Sequence, residues 1–463
     1  MVFSSLLFIG IFLPVTLFFY FICKNLAYRN IILVISSLIF YAWGEPVWVF
    51  LLLFSTMVNY TAGLLIHKFQ NRWQAKFSLV AALVISLGLL ATFKYSGWIV
   101  ENINALFHIQ IPFYGFALPL GISFFTFQTL SYTIDVYRGD VKVQKNPVYF
   151  LCYVSMFPQL VAGPIVRYSD IEKEINHRTV TAKDFEYGIL RFTQGMLKKV
   201  VIANGIGAVA TALLDGDLTQ SSALSAWIGM LAYTFQIYFD FSSYSDMAIG
   251  MGRMFGFHFL ENFNYPYIAK NVTDFWRRWH MSLSSFFRDY VYIPLGGNRK
   301  HQVFNIFVVW MLTGLWHGAS WNFVLWGVYY GILLIIEKKA FGGRLMRLPA
   351  PVGILYNFII VIFGWALFYY TDFSRLQQWF VCAFGGTGVL WDFTALSTLF
   401  SNLWLFLVCL IGSTPVIKFL FKKLYNAKVV GACVTPVLVV LVLAGCFILL
   451  VGQSFNPFLY FRF

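Results

Sequence analysis

The chain has 463 residues, 59% hydrophobic and only 11% charged, proportions that exclude a soluble globular domain of this length. A formal net charge of +14 points to nucleic acid only if the basic residues share one solvated face; gathered in the loops on one side of a membrane, the same charge reports topology. Six cysteines, with neither CxxC nor ligand spacing, read as packing residues and argue against a disulfide scaffold or a zinc site.

Taken in chain order, membrane spans are predicted at about 3–22, 30–43, 47–66, 77–95, 115–134, 199–214, 224–250, 354–371, 402–421 and 430–451, with a hairpin at 303–337 and a re-entrant segment near 147–166. The first run lacks a basic n-region and a cleavage site, so it reads as a retained span. No intervening stretch is large enough for a separate core, so residues 1–463 are expected to form one membrane domain, with the catalytic core at about 115–340. With the N-terminus outside, thirty of the 33 Lys and Arg residues fall on one side; only Lys94, Arg375 and Arg462 fall opposite, beside Glu45, Glu101, Asp215, Asp217, Asp372 and Asp392. The positive-inside rule therefore predicts extracytoplasmic termini, with anionic lipid headgroups as the partner of the basic face and no nucleic acid.

Ionisable groups inside such a chain are costly, so each is a functional candidate beside its structural alternative. The hairpin starts after Arg299-Lys300-His301 and ends before Glu337-Lys338-Lys339, so both ends are on the basic side, and it turns within Gly314–Asn322. Its first arm spans about 21 Å as a helix, less than the roughly 30 Å hydrocarbon core, which places His317 inside the membrane. Trp316, Trp321 and Asn322 beside it are pore-lining candidates. Upstream, Asp274–Tyr290 is predicted as one amphipathic helix, capped by Thr273 or Asp274. It carries Trp276, Trp279, Leu283, Phe286 or Phe287, and Tyr290 on one face and Arg277, His280, Ser284 and Arg288 on the other. The bland alternative is an interfacial helix. In 224–250, Asp240, Ser243 and Asp246 share a face: either a pore-lining proton relay or, more simply, structural pairing to basic residues, with Arg253 near Asp246. A histidine without a Ser or Cys nucleophile nearby suits general-base activation of a hydroxyl.

Five stretches carry a resemblance: FPQLVAGPIVRY (157–168), YFDFSSYSDMAIGMGRMFGF (238–257), DFWRRWHMSLSSFFRDYVYIPLGGNR (274–299), LTGLWHGASWNFVLWG (312–327) and NPFLYFRF (456–463). In these motifs the chain resembles the membrane-bound O-acyltransferase family, in its bacterial alginate O-acetylase branch and close to peptidoglycan O-acetyltransferases. The resemblance implies an all-α polytopic fold, a ring of about 10–12 transmembrane helices with re-entrant segments around a central pore, in a bacterial inner membrane. It also implies that His317 matches the family's histidine in an apolar segment and His280 its upstream polar position. An acyl group would pass from a cytosolic thioester, acetyl-CoA or an acyl carrier protein, to an extracytoplasmic hydroxyl, with no permanently bound cofactor or metal. Arg277, Arg278 and Arg288 are candidates for the donor phosphates. His317 would act as base and His280 would orient the donor or protonate its thiolate, and an extracytoplasmic SGNH-type transferase is the expected partner. D-alanyl transfer to teichoic acid, or transport of a polysaccharide or lipid-linked sugar with His317 as a proton site, are the competing readings. No function is assigned to 372–399.

Overall fold

The computed structural model describes residues 1–463 except Ala162, Gly342, Ala427, 453–457 and 460–463, so the terminal motif falls outside the described residues apart from Phe458 and Leu459. Among the described residues the regular structure is helical throughout. Six helices among the described residues are long and apolar enough to cross a membrane, or seven if one bent pair is a single span. The other expected spans fall on helices outside that set, among them Phe8–Ile22, Ile122–Arg138 and Ala223–Met254.

The chain falls into two compact units: residues 1–192, 244–260 and 455–461, and residues 193–243, 261–454 and 462–463. The first holds α1 (Leu13–Ile22), α2 (Leu26–Gly44), α3 (Val49–Lys68), α4 (Trp73–Phe107), α5 (Ile122–Arg138), α6 (Pro147–Ser155), α7 (Phe157–Leu160), α8 (Tyr168–Asn176) and most of α9 (Ala182–Leu197). Side-chain hydrogen bonds join α3, α4 and α5: Asn59 donates to Ser86 Oγ at 3.0 Å and accepts from Thr133 Oγ1 at 2.8 Å, the polar contact that holds apolar helices together where burial alone gains little. The expected re-entrant segment is two short helices, α6 and α7, broken at Met156 ahead of Pro158; proline has no N–H to continue the ladder of α6 but is tolerated in the first turn of α7. Gln159, fully buried there, donates to the Tyr153 carbonyl at 2.6 Å. Arg178 ties this unit's helices together, donating to Tyr20 Oη (2.9 Å), the Phe255 carbonyl (3.1 Å) and Asn30 Oδ1 (2.6 Å).

The second unit contains α10 (Asn204–Leu214), the start of α11 (Ala223–Met254), α12 (Val272–Trp276), α13 (Met281–Phe287), α14 (Gln302–His317), α15 (Trp321–Ile336), α16 (Arg344–Arg347) and α17 (Ala350–Tyr369). It closes with α18 (Phe373–Ala383), α19 (Phe393–Ser401), α20 (Leu403–Gly412), α21 (Val416–Asn426) and α22 (Lys428–Val451). The span expected at 402–421 is corrected: α20 stops at Gly412, α21 begins at Val416, and α20 instead pairs with α19 across a 60° bend. Pro415, whose missing N–H suits a helix start, sets that break. Segment 372–399 acquires a structural role: the carbonyls of Val389 and Leu390 accept from Ala223 N (2.9 Å) and Leu224 N (3.0 Å), and Asp392 accepts from Ser222 N at 3.3 Å. These bonds satisfy backbone donors that the first turn of α11 leaves open.

Candidate functional site

The hairpin forms from α14 and α15, and its turn is tighter than Gly314–Asn322: α14 continues to His317, leaving 318–320 to reverse the chain. The arms touch through glycine. A Cβ on Gly327 would collide with the Trp310 carbonyl, one on Gly314 with the Phe323 carbonyl, and one on Gly331 would meet Trp310 Cβ at 3.3 Å, so the absence of side chains sets the backbone approach. Asn322, fully buried, donates to the Leu367 carbonyl of α17 at 3.3 Å and fixes the turn.

His317 ends α14 buried among rings, with centroids at 5.0 Å to Trp326, 5.1 Å to Trp316 and 5.3 Å to Phe368. The Trp326 indole beside it extends into a block with Trp276 (5.4 Å) and Tyr330 (5.1 Å), which also takes in Trp310, 4.7 Å from Trp276. Of the pore-lining candidates, Trp316 and Asn322 are buried, whereas Trp321 is about half exposed (49%) and stands at the surface.

The predicted amphipathic helix over Asp274–Tyr290 is corrected. It breaks into α12 and α13 with the chain reversing at 277–280, and Asn271, not Thr273 or Asp274, is the cap, its Oδ1 accepting from Asp274 N at 2.7 Å. The N-terminus of α12 is also held by Glu337: its buried carboxylate accepts from Val272 N (2.8 Å), Thr273 N (3.0 Å) and Thr273 Oγ1 (3.1 Å). A charge that reads in sequence as the end of a hairpin is thus an anchor, placed where the helix dipole favours an anion. It seats Trp276 against the hairpin.

At the break His280 takes a left-handed backbone, φ +44° and ψ +53°, a conformation uncommon outside glycine and asparagine. Its imidazole is buried, edge-on to Phe241 at 4.7 Å and to Trp316 at 5.7 Å. Trp316 therefore contacts both histidines, bringing together the two residues singled out 37 positions apart. Burial alone holds the His280 imidazole far below the usual histidine range, at about 3, so it is neutral. Its Nδ1 lies 3.2 Å from Oδ1 of Asn262, a fully buried residue that sequence reasoning missed. The one cue was the turn-rich run Asn262-Phe-Asn-Tyr-Pro266, which announces a turn but not what the side chain holds.

The three arginines separate. Arg278 pairs with Asp274 at 2.9 Å and Arg288 with Asp289 at 2.6 Å, while Arg277 is exposed with no acidic partner among the described residues. Partial desolvation, with the Arg277 charge second, lowers the Lys338 ammonium below its usual range; two cations so placed favour an anion between them. The aspartates are both paired. Asp240 meets Lys199 at 2.6 Å in the second unit and Asp246 meets Arg191 at 2.8 Å in the first. Arg253, the partner expected for Asp246, pairs with Asp184 at 3.0 Å. Lys199 sits in a π-helical stretch, Lys198–Ala203, which turns its ammonium out of the regular helical register. Among the described residues no group of three His, Cys, Asp or Glu is placed to hold a metal ion.

A sequence profile of the membrane-bound O-acyltransferase family matches residues 141–377, which include every element of the two-histidine site. A probable alginate O-acetylase of Pseudomonas aeruginosa is 45% identical over 80% of this chain and 72% of its own. A peptidoglycan O-acetyltransferase of Helicobacter pylori is 36% identical over 80% and 77%. A teichoic acid D-alanyltransferase of Bacillus subtilis is 30% identical over 60% and 78%.

Proposed function

Because the chain belongs to the membrane-bound O-acyltransferase family, we propose that it is an O-acetyltransferase of a bacterial inner membrane. It takes acetyl from cytosolic acetyl-CoA and delivers it to hydroxyls of a cell-surface polysaccharide of alginate or peptidoglycan type. Delivery is direct or through an extracytoplasmic SGNH-type partner. The observation that carries the reading is the pair of histidines on Trp316, one of them at the turn of a glycine-seamed hairpin. In this reading both termini are extracytoplasmic, and the base of the hairpin, with Arg277 and Lys338, faces the cytosol where the donor's phosphates arrive.

A neutral His317 accepts the proton of the incoming hydroxyl as its oxygen attacks the thioester carbonyl carbon. The carbon–sulfur bond then breaks, and the imidazolium returns that proton to the departing thiolate, giving an ester and free CoA. His280 orients the reacting groups. Asp240 and Asp246, each ion-paired, serve this reading as structural charges and not as the relay. A D-alanyl thioester on a carrier protein is the runner-up, supported by the relative with the lowest identity and the smallest matched share of this chain among the three.

The test is radiolabelled acetyl-CoA supplied to purified protein in liposomes. Wild type is expected to transfer label and His317→Ala to lose at least ~100-fold of the rate, the range of general-base contributions. Equal transfer by both sinks the base assignment. Capture of an acyl carrier protein without acetyl-CoA turnover would move the reading to D-alanyl chemistry.

A further inference from the structure

We infer that Asn262 is a positioning residue: it fixes His280 as the tautomer protonated on Nδ1, so that Nε2 offers a lone pair to a reactant. Asn262 Oδ1 meets three groups, Ser282 N at 3.2 Å, Ser282 Oγ at 2.9 Å and His280 Nδ1 at 3.2 Å. A peptide N–H only donates, so the Asn262 atom facing Ser282 N is the carbonyl oxygen and not the amide nitrogen. That oxygen only accepts. His280 Nδ1, facing the same atom, must therefore carry the hydrogen, and in a neutral imidazole the lone pair is then on Nε2.

The backbone of Asn262 completes the clamp, its carbonyl accepting from Met281 N at 3.0 Å. One buried residue thus grips both the chain on the C-terminal side of His280 and its ring, holding a left-handed backbone that a non-glycine residue rarely adopts. Among the described residues the ring meets Phe241 from α11, Trp316 from α14, Ser282 from α13 and Asn262 itself. None of these four is charged, and Trp316 also contacts His317. Burial keeps His280 neutral, so the tautomer, not the charge, decides its chemistry. An Nε2 lone pair accepts from an N–H or O–H of a reactant. It cannot protonate a thiolate, which leaves return of the proton to His317.

What the lone pair serves rests on the thioester reading; the tautomer does not, and the experiment separates them. Full-length protein labelled with ¹⁵N-histidine in liposomes is examined by solid-state NMR, the His280 signals being identified by their loss in His280→Gln. Wild type is expected to show a neutral, Nδ1-protonated His280, retained in Ser282→Ala, which keeps the Asn262 contact. Asn262→Ala should shift population to the Nε2-protonated form and lower kcat for CoA release from acetyl-CoA at least ~10-fold, with KM little changed, as a misplaced tautomer does elsewhere. Asn262→Asp places a carboxylate on Nδ1 and stabilises the imidazolium, so its activity should recover as pH rises, a displacement that Asn262→Ala lacks. An Nε2-protonated His280 in wild type, or an unchanged tautomer in Asn262→Ala, overturns the assignment. Absence of acetyl-CoA turnover in wild type sinks the thioester reading, while the spectrum still decides the tautomer.

Discussion

A histidine held neutral by burial makes the protein sensitive to acid before any chemistry is considered. His280 protonates at about 3 in the folded chain against about 6.5 when exposed, so between those values the unfolded state binds the extra proton. Its linkage therefore costs nothing above pH 6.5 and removes up to about 1.4 kcal/mol per pH unit below it. Thermal unfolding in detergent should show wild type losing more of its Tm than His280→Gln between pH 7 and pH 4; parallel curves would show that His280 is not buried as described. At this scale the sequence singles out residues by their cost and says little of how they are held. His317 and His280 stood out because a titratable group in an apolar run is costly. Asn262 and Glu337 did not, because an asparagine in a turn and a glutamate after a hydrophobic run are ordinary until tertiary contacts bury them.

The same division appears in the helices. The hairpin was legible because charges bracket it and its arms are too short to hide their turn, whereas α12 and α13 were misread as one helix. The apolar spacing from Trp276 to Tyr290 does continue at helical intervals. What breaks it is the left-handed His280, clamped by a residue 18 positions upstream, and periodicity carries no trace of such a contact. The glycine seam between α14 and α15 makes a graded prediction. Gly327→Ala drives a methyl into the Trp310 carbonyl, while at Gly331 the nearest atom is a side-chain carbon at 3.3 Å. Gly327→Ala should cost about 1–3 kcal/mol, the usual penalty of overpacking, and Gly331→Ala less than half of that. Thermal unfolding of the two variants side by side checks the order. A Gly327→Ala as stable as wild type would mean that the arms are further apart than described.

For the whole molecule, the strongest regularity is the one-sided distribution of lysine and arginine, and it predicts which face meets the cytosol. Helix α4 is a good ruler for it: 35 residues at 1.5 Å each make about 52 Å, well beyond the roughly 30 Å hydrocarbon core, so both of its ends reach water. Arg72 and Lys76 mark one end and Glu101 lies near the other. If the basic face is cytosolic, a cysteine at Arg72 should react with a membrane-impermeant maleimide only in inverted vesicles, and one at Glu101 only in intact spheroplasts. Labelling is read in a background with Cys23 and Cys433, the two native cysteines not buried, replaced by serine. The same orientation requires that a cysteine at Arg277, beside Lys338 at the base of the hairpin, label from the cytosolic side and be protected by acetyl-CoA there. Reversed labelling of the α4 pair would put the cationic base of the hairpin on the face where no cytosolic thioester arrives, and the donor site would have to be sought at the opposite end of the two-histidine site.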